Sequence, residues 1–183
     1  MILAVDNGSR YTNTLTRYLE DLNTNFAARQ PHQIDTDRLQ AYSSFILSGR
    51  RSNQNHMNKV NSDIIRFAVR HDRPLLGICY GAEMLALSLG GTIRRMPQPV
   101  YGDVRVQVTQ DNPLCTGNVS VFASHSYEIS KIPPPLTSVG SSTTCHNEII
   151  RYNNTLVFGV QFHPEMSPDG LVMIERFLRE MSR

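Results

Sequence analysis

The residues in this sequence best suited to covalent chemistry are a cysteine framed by glycines, Gly77-Ile78-Cys79-Tyr80-Gly81, and a histidine followed two positions later by a glutamate, His163-Pro164-Glu165. The cysteine lies where an apolar run, Pro74-Leu75-Leu76-Gly77-Ile78, gives way to helix-forming residues. This is the strand–turn–helix setting of a nucleophile elbow, with Cys in place of Ser. In such a strained turn the flanking positions must be small so that strand and helix can approach each other. A thiol at a helix N-terminus feels the positive end of the macrodipole, which favours the thiolate, and the Tyr80 N–H is free to face a developing oxyanion. A Cys–His pair needs the imidazole to take the thiol proton and a carboxylate to hold the other ring N–H. On an extended segment, two-residue spacing aims His163 and Glu165 to the same side, with Pro164 stiffening the backbone between them. Either residue alone would read as an ordinary polar side chain; together with Cys79 they read as a catalytic set.

Those groups must be held by a scaffold, and hydrophobic periodicity predicts one. Short apolar strands are expected at Ile2 to Val5, near Phe26 to Arg29, at Ser44 to Leu47, at Pro74 to Ile78 and at Leu156 to Phe162. Helices are expected between them: around Tyr11 to Leu22, from about His56 to His71, from Glu83 to Leu89 with a Gly90-Gly91 stop, and from about Asp169 to Met181. Strands alternating with helices in this way predict an open, mostly parallel α/β sheet covered on both faces. From Thr92 to Arg151 the pattern changes to short alternating runs, such as Val104 to Val108 and Val119 to Phe122, separated by Pro, Gly and Asn. These predict antiparallel strands and long loops. Cys145 is placed in a strand, Cys115 in a loop, and Pro133-Pro134-Pro135 in a stiff surface connector.

The 183 residues are expected to form a single domain, residues 1–183. With 18 Lys and Arg against 16 Asp and Glu, scattered along the chain, no basic face for nucleic acid is indicated. Three cysteines at wide spacing, Cys79, Cys115 and Cys145, fit neither a disulfide framework nor a metal knuckle, and the histidines lack ligand-like spacing, so no metal or cofactor is expected. The start of the chain lacks a signal-peptide pattern and no apolar run approaches the roughly 20 residues needed to cross a bilayer. A cytoplasmic protein without membrane partners is the expectation.

The elbow Gly77 to Gly81, together with Gly159-Val160-Gln161-Phe162-His163-Pro164-Glu165, resembles the class I, triad-type glutamine amidotransferases, and the resemblance spans nearly the whole chain. Val5-Asp6-Asn7-Gly8 followed by Tyr11-Thr12 is most similar to the glutaminase subunits of two-chain GMP synthases. Ile46-Leu47-Ser48-Gly49 resembles the loop that supplies the second oxyanion-hole N–H, and Tyr101-Gly102 resembles the Tyr-Gly that opens the strand after the Gly90-Gly91 stop. Ser124-His125-Ser126 resembles the segment whose backbone helps hold the substrate. The resemblance implies a flavodoxin-like amidotransferase fold and hydrolysis of L-glutamine through a glutamyl thioester. It makes Cys79 the nucleophile, His163 the base and then acid, and Glu165 its orienting partner. Gly49, Arg50 and Tyr80 would line the oxyanion hole, and Glu83, Ser124, His125 and Ser126 the substrate site. Since 183 residues leave no room for an ATP-dependent domain, ammonia is expected to pass to a separate synthetase chain, an ATP-pyrophosphatase subunit.

Two positions depart from the family pattern. The oxyanion loop, usually Ser-Gly-Gly-Pro, reads Ser48-Gly49-Arg50-Arg51, and a Gln that follows the elbow is here Glu83. Arg50 is open to three readings: a solvated side chain, a contact to the partner, or a residue that holds the loop inactive until docking. An ionised Glu83 beside Cys79 would oppose the thiolate. It could instead be protonated, turned away, or paired with the substrate ammonium, and weak activity of the isolated chain is expected. Other readings are the glutaminase component of anthranilate or aminodeoxychorismate synthase or of another synthetase, and a regulatory protein that kept the fold without the activity.

Overall fold

The computed structural model describes residues 1–182. Nine strands form one curled sheet. Five are parallel: β1 (Ile2–Val5), β2 (Phe26–Arg29), β3 (Ser44–Leu47), β4 (Leu75–Ile78) and β9 (Val157–Val160). The antiparallel part comprises β5 (Thr92–Val108), β6 (Asn118–Lys131), β7 (Leu136–Ser141) and β8 (Ile149–Tyr152). The order across the sheet is β2-β1-β3-β4-β9-β8-β7-β5-β6.

Alternate residues of β1, β3, β4 and β9 enter different cores, which is why these strands are buried and almost wholly apolar, whereas the edge strand β2 ends in exposed Ala28 and Arg29. Ile2, Ala4, Ile46, Leu76 and Ile78 pack with Leu15 and Leu19 of α1 (Thr12–Asp21) and with Met173, Ile174 and Phe177 of α4 (Pro168–Glu180). Leu3, Val5, Phe45, Leu47 and Leu75 pack on the other face, against Val60, Ile64 and Ile65 of α2 (Asn55–Arg70) and Tyr80 and Leu85 of α3 (Tyr80–Ser88). No helix among the described residues is long and apolar enough to cross a membrane.

The long β5–β6 hairpin folds back over the C-terminal ends of the parallel strands. Its anchors are side-chain and backbone bonds to the chain that follows β9: the Ile129 N–H donates to Gln161 Oε1 at 3.2 Å, the His163 N–H to the Phe122 carbonyl at 2.8 Å, and the Ser120 N–H to Asp169 Oδ2 at 2.7 Å.

The parallel strands and the helices lie close to their expected places, with four differences. Helix α3 begins at Tyr80 rather than Glu83, because the elbow turns within the single residue Cys79. The antiparallel strands are far longer than the short runs predicted: Pro97 and Pro99 interrupt the ladder of β5, seen as a register shift between Arg95 and Val100, yet their fixed backbone remains compatible with extension. Tyr101-Gly102 consequently lies inside β5 rather than at its start. Cys145 sits in the turn between β7 and β8, buried there by the packing of a loop rather than by a strand.

Candidate active site

Cys79 occupies the elbow at φ 50°, ψ −102°, a left-handed backbone that a residue with a Cβ adopts only when its surroundings impose it. The constraint comes from both sides. The Cys79 N–H donates to the Val160 carbonyl at 2.7 Å, extending the β4–β9 pairing into the turn. A Cβ on Gly77 would sit 2.6 Å from the backbone carbonyl of Gly81, and one on Gly81 would collide with the Leu47 carbonyl. The two flanking glycines thus let α3 close down onto β3 and β4. The thiol faces β6, with Sγ 4.0 Å from the Ser124 carbonyl oxygen.

Burial, then the charges of Glu83 and Glu165, push the thiol above its ordinary range, against the opposing pull of the Tyr80 N–H and Arg50. The pull of the helix terminus toward the thiolate, expected from the sequence, is thus opposed in the fold by burial and by two neighbouring carboxylates.

His163 and Glu165 are 3% and 2% exposed, and Nδ1 lies 2.9 Å from Glu165 Oε1. An ionised carboxylate only accepts, so Nδ1 carries the proton and Nε2 is left to take one. The pairing is not made by strand alternation. His163 is extended, but Pro164–Met166 forms a 3-10 turn, and this turn swings Glu165 back onto the ring. The imidazole is further held by the edge of Tyr11, with centroids 4.5 Å apart, and by close approach of Gly49.

The segment after β3 is set by a buried amide network. Ser48 Oγ accepts from the Asn7 N–H at 2.9 Å, and its carbonyl accepts from Asn7 Nδ2 at 3.0 Å. The Asn7 and Asn61 side-chain amides pair reciprocally at 3.1 and 2.7 Å, and Asn61 also donates to the Met57 carbonyl. Arg50 is not a solvated loop residue. Its guanidinium lies 3.7 Å from the Glu83 carboxylate and 4.3 Å from the centroid of the Tyr80 ring, and it hydrogen-bonds Asn53. Glu83 is 4% exposed; burial raises its carboxyl above the usual range, while Arg50 and the Gln161 amide, 3.5 Å away, pull it down.

Cys79, Tyr80, Arg50 and Glu83 line one wall of a cleft of about 500 Å³, and Ser124, His125 and Ser126 of β6 line the other, with Tyr101 and Tyr127 at its sides. That volume suits a small polar metabolite. The His125 Nδ1 lies 2.8 Å from the Tyr127 carbonyl, which can only accept, so Nδ1 carries a proton; burial lowers the basicity of the ring, and its Nε2 has no hydrogen-bond partner. A second cleft shares Arg50, Arg51 and Ser124 with the first and reaches His163 and Tyr11.

The fold thus gathers all ten residues singled out from the sequence around one region. Three contributors were not singled out. Asn61 breaks the apolar stripe of α2 between Val60 and Ile64, and Gln161 interrupts the apolar run from Val157 to Phe162; a polar residue at a core position is the signal each left. Tyr11 carried no such signal, since its contact with His163 exists only in three dimensions. Among the described residues, no group of three or more His, Cys, Asp or Glu side chains is arranged to hold a metal ion.

Comparison with known proteins agrees with this geometry. The family model for class-I glutamine amidotransferases matches residues 3–181. The chain is 30% identical over 169 residues to a glutamine-hydrolyzing GMP synthase subunit of Thermoplasma acidophilum, covering 90% of this chain and 84% of that protein. It is 29% identical to the glutamine-hydrolyzing GMP synthase of Hamiltonella defensa over 98% of its own length, yet spans only 37% of that longer protein. The crystal structure of a putative GMP synthase subunit from Thermoplasma acidophilum superposes with a TM-score of 0.87 at 26% identity, covering 99% of this chain and 93% of that one. With the family model matched almost end to end and the elbow cysteine, the buried His–Glu pair and the cleft in one place, this chain belongs to the class-I glutamine amidotransferases.

Proposed function

We propose that this chain hydrolyses L-glutamine through Cys79, His163 and Glu165 and delivers the ammonia to a separate ATP-dependent synthetase chain of a GMP synthase. The observation that carries the reading is that the strained elbow of Cys79 and the buried His163–Glu165 pair follow the neighbouring strands β4 and β9, with Cys79 on the wall of a cleft of metabolite size and His163 on that of the adjoining cleft. Burial opposes a free thiolate at Cys79, so ionisation is coupled to a base: His163 Nε2 takes the Sγ proton as sulfur attacks the carboxamide carbon. The tetrahedral oxyanion is met by the backbone N–H groups of Tyr80 and of the Gly49-Arg50 segment. The imidazolium, held by Glu165, then protonates the departing nitrogen, and ammonia leaves a glutamyl thioester. Water deprotonated by the same Nε2 hydrolyses it to glutamate. Glu83, Ser124, His125 and Ser126 surround the substrate.

The 183 residues act as one glutaminase unit. The separate synthetase is supported by the Thermoplasma relative, which is named as one subunit of its GMP synthase, and the acceptor chemistry by both GMP synthase relatives. The test is ammonia release from glutamine by the wild type and Cys79→Ala, each alone and with an ATP-pyrophosphatase subunit plus XMP and ATP. Release that needs Cys79 and rises with that partner is expected. Cys79-dependent release indifferent to it would point to another synthetase, and no release under either condition would overturn the catalytic reading.

A further inference from the structure

The two positions at which this sequence departs from its family, Arg50 and Glu83, are 33 residues apart in the chain and touch in the fold. They meet because β3 and β4 are neighbouring parallel strands, so the loop after one lies beside the elbow after the other. Glu83 sits one helical turn beyond the nucleophile, its N–H donating to the Cys79 carbonyl at 3.0 Å, and its side chain is buried against the cleft wall. A carboxylate in such a place needs a counter-charge. The Gln161 amide, at 3.5 Å, is at the limit of hydrogen bonding and uncharged. Arg50 provides the charge, with its guanidinium held in place by the Tyr80 face and by Asn53.

We propose that Arg50 and Glu83 act as one unit, in which Arg50 is a positioning residue that cancels the Glu83 charge beside Cys79 and so permits thiolate formation in a cleft that would otherwise oppose it. An arginine in the oxyanion loop and a glutamate after the elbow are then a matched substitution: the pair is neutral in sum, as a lone amide would be. The other titratable groups around Cys79 are Glu165 and His163 from the segment after β9, His125 and Tyr127 from β6, Tyr101 from β5, Tyr80 beside it on α3, and Arg51 at the cleft rim. None of them forms an ion pair with Glu83 in place of Arg50.

The inference rests on Cys79 as the reactive thiol, but its test needs no glutamine and no partner. Iodoacetamide alkylation of Cys79 is followed from pH 7 to 10 by peptide mass spectrometry, which separates it from Cys115 and Cys145, in wild type, Arg50→Met, Arg50→Lys, Glu83→Gln and Arg50→Met/Glu83→Gln. Arg50→Met should raise the apparent thiol pKa by about one unit, slowing alkylation about tenfold below it. Arg50→Lys should restore most of that rate, which loss of packing alone would not allow. Glu83→Gln alone should speed alkylation, and Arg50→Met/Glu83→Gln, in which neither charge remains, should return to within about twofold of wild type. A double variant as slow as Arg50→Met, or no slowing by Arg50→Met at all, would overturn the proposal. Coupled alkylation without any glutamine hydrolysis would leave the pair standing and remove the glutaminase reading; hydrolysis without coupling would do the reverse.

Discussion

Gly49→Ala tests the positioning of the base directly. A Cβ at this position would lie 2.8 Å from His163 Cε1, with Ser9 Oγ and Cβ next at 3.4 and 3.5 Å. To restore an ordinary contact the imidazole must retreat about 0.6 Å. It cannot do so freely: Glu165 holds Nδ1 at 2.9 Å, Phe122 holds the backbone N–H at 2.8 Å, and the Tyr11 ring abuts the other side. A misplacement of 1 Å in a reacting group costs about 100-fold in rate, so a shift of this size should lower kcat about 10- to 20-fold. KM should change little, because Gly49 is not part of the cleft wall formed by Arg50, Glu83 and the β6 segment. The crowding should also lower stability by about 1–3 kcal/mol. The assay is steady-state ammonia release at saturating glutamine, with thermal unfolding as a parallel measurement. A kcat within about twofold of wild type would refute the claim that the Gly49 backbone sets the position of the base.

Gly77→Ala should be worse for the fold than for the chemistry: its Cβ would meet the rigid backbone of Gly81 at 2.6 Å, and a loss of about 3 kcal/mol or more is expected in the denaturant midpoint. Glu165→Gln should lower kcat by about 100- to 10,000-fold with little change in melting temperature, since the amide can present its N–H to Nδ1 and favour the wrong tautomer; steady-state kinetics with thermal unfolding checks this. Glu148, fully buried in the turn before β8, has its carboxyl raised to about 7 by burial, with Glu128 adding to it against a hydrogen bond from Ser142. Its folded-state pKa exceeds the unfolded one, so its contribution is fully present below about pH 4.5 and is lost as pH rises through about 7. Glu148→Gln should therefore flatten the decline in stability across that window, by on the order of 3 kcal/mol in urea titrations at the two ends.

The nucleophile elbow was legible because its causes are local. An apolar strand, one tight turn and a helix start are neighbours in the chain, and small residues at Gly77 and Gly81 record the close approach that the turn demands. The parallel strands were legible for the same reason, since both faces of each are covered and nearly every residue is apolar. The antiparallel half was read less well. Its ladder runs through Pro97 and Pro99, which locally signal a break, and only the pairing with β6 shows that extension resumes beyond them. The His163–Glu165 pair was foreseen through the wrong geometry: alternation along a strand was expected, whereas the 3-10 turn opened by Pro164 brings the carboxylate to the ring.

The residue types proposed for the chemistry, the elbow around Cys79 and the alternation of strands with helices were determined by the sequence alone, through interactions among residues a few positions apart. Which of those residues meet was decided by strand order. Placing β4 between β3 and β9 sets the loop after β3 and the His163 segment on either side of Cys79, and curling β6 back over them closes the cleft with Ser124 and His125. The state of the site was decided there as well. Arg50 and Glu83 each read as an isolated departure with several roles open, until the fold set their charges 3.7 Å apart in a place where burial makes the pairing matter. Electrostatic energy depends on distance and on exclusion of water, and neither exists until the chain has packed.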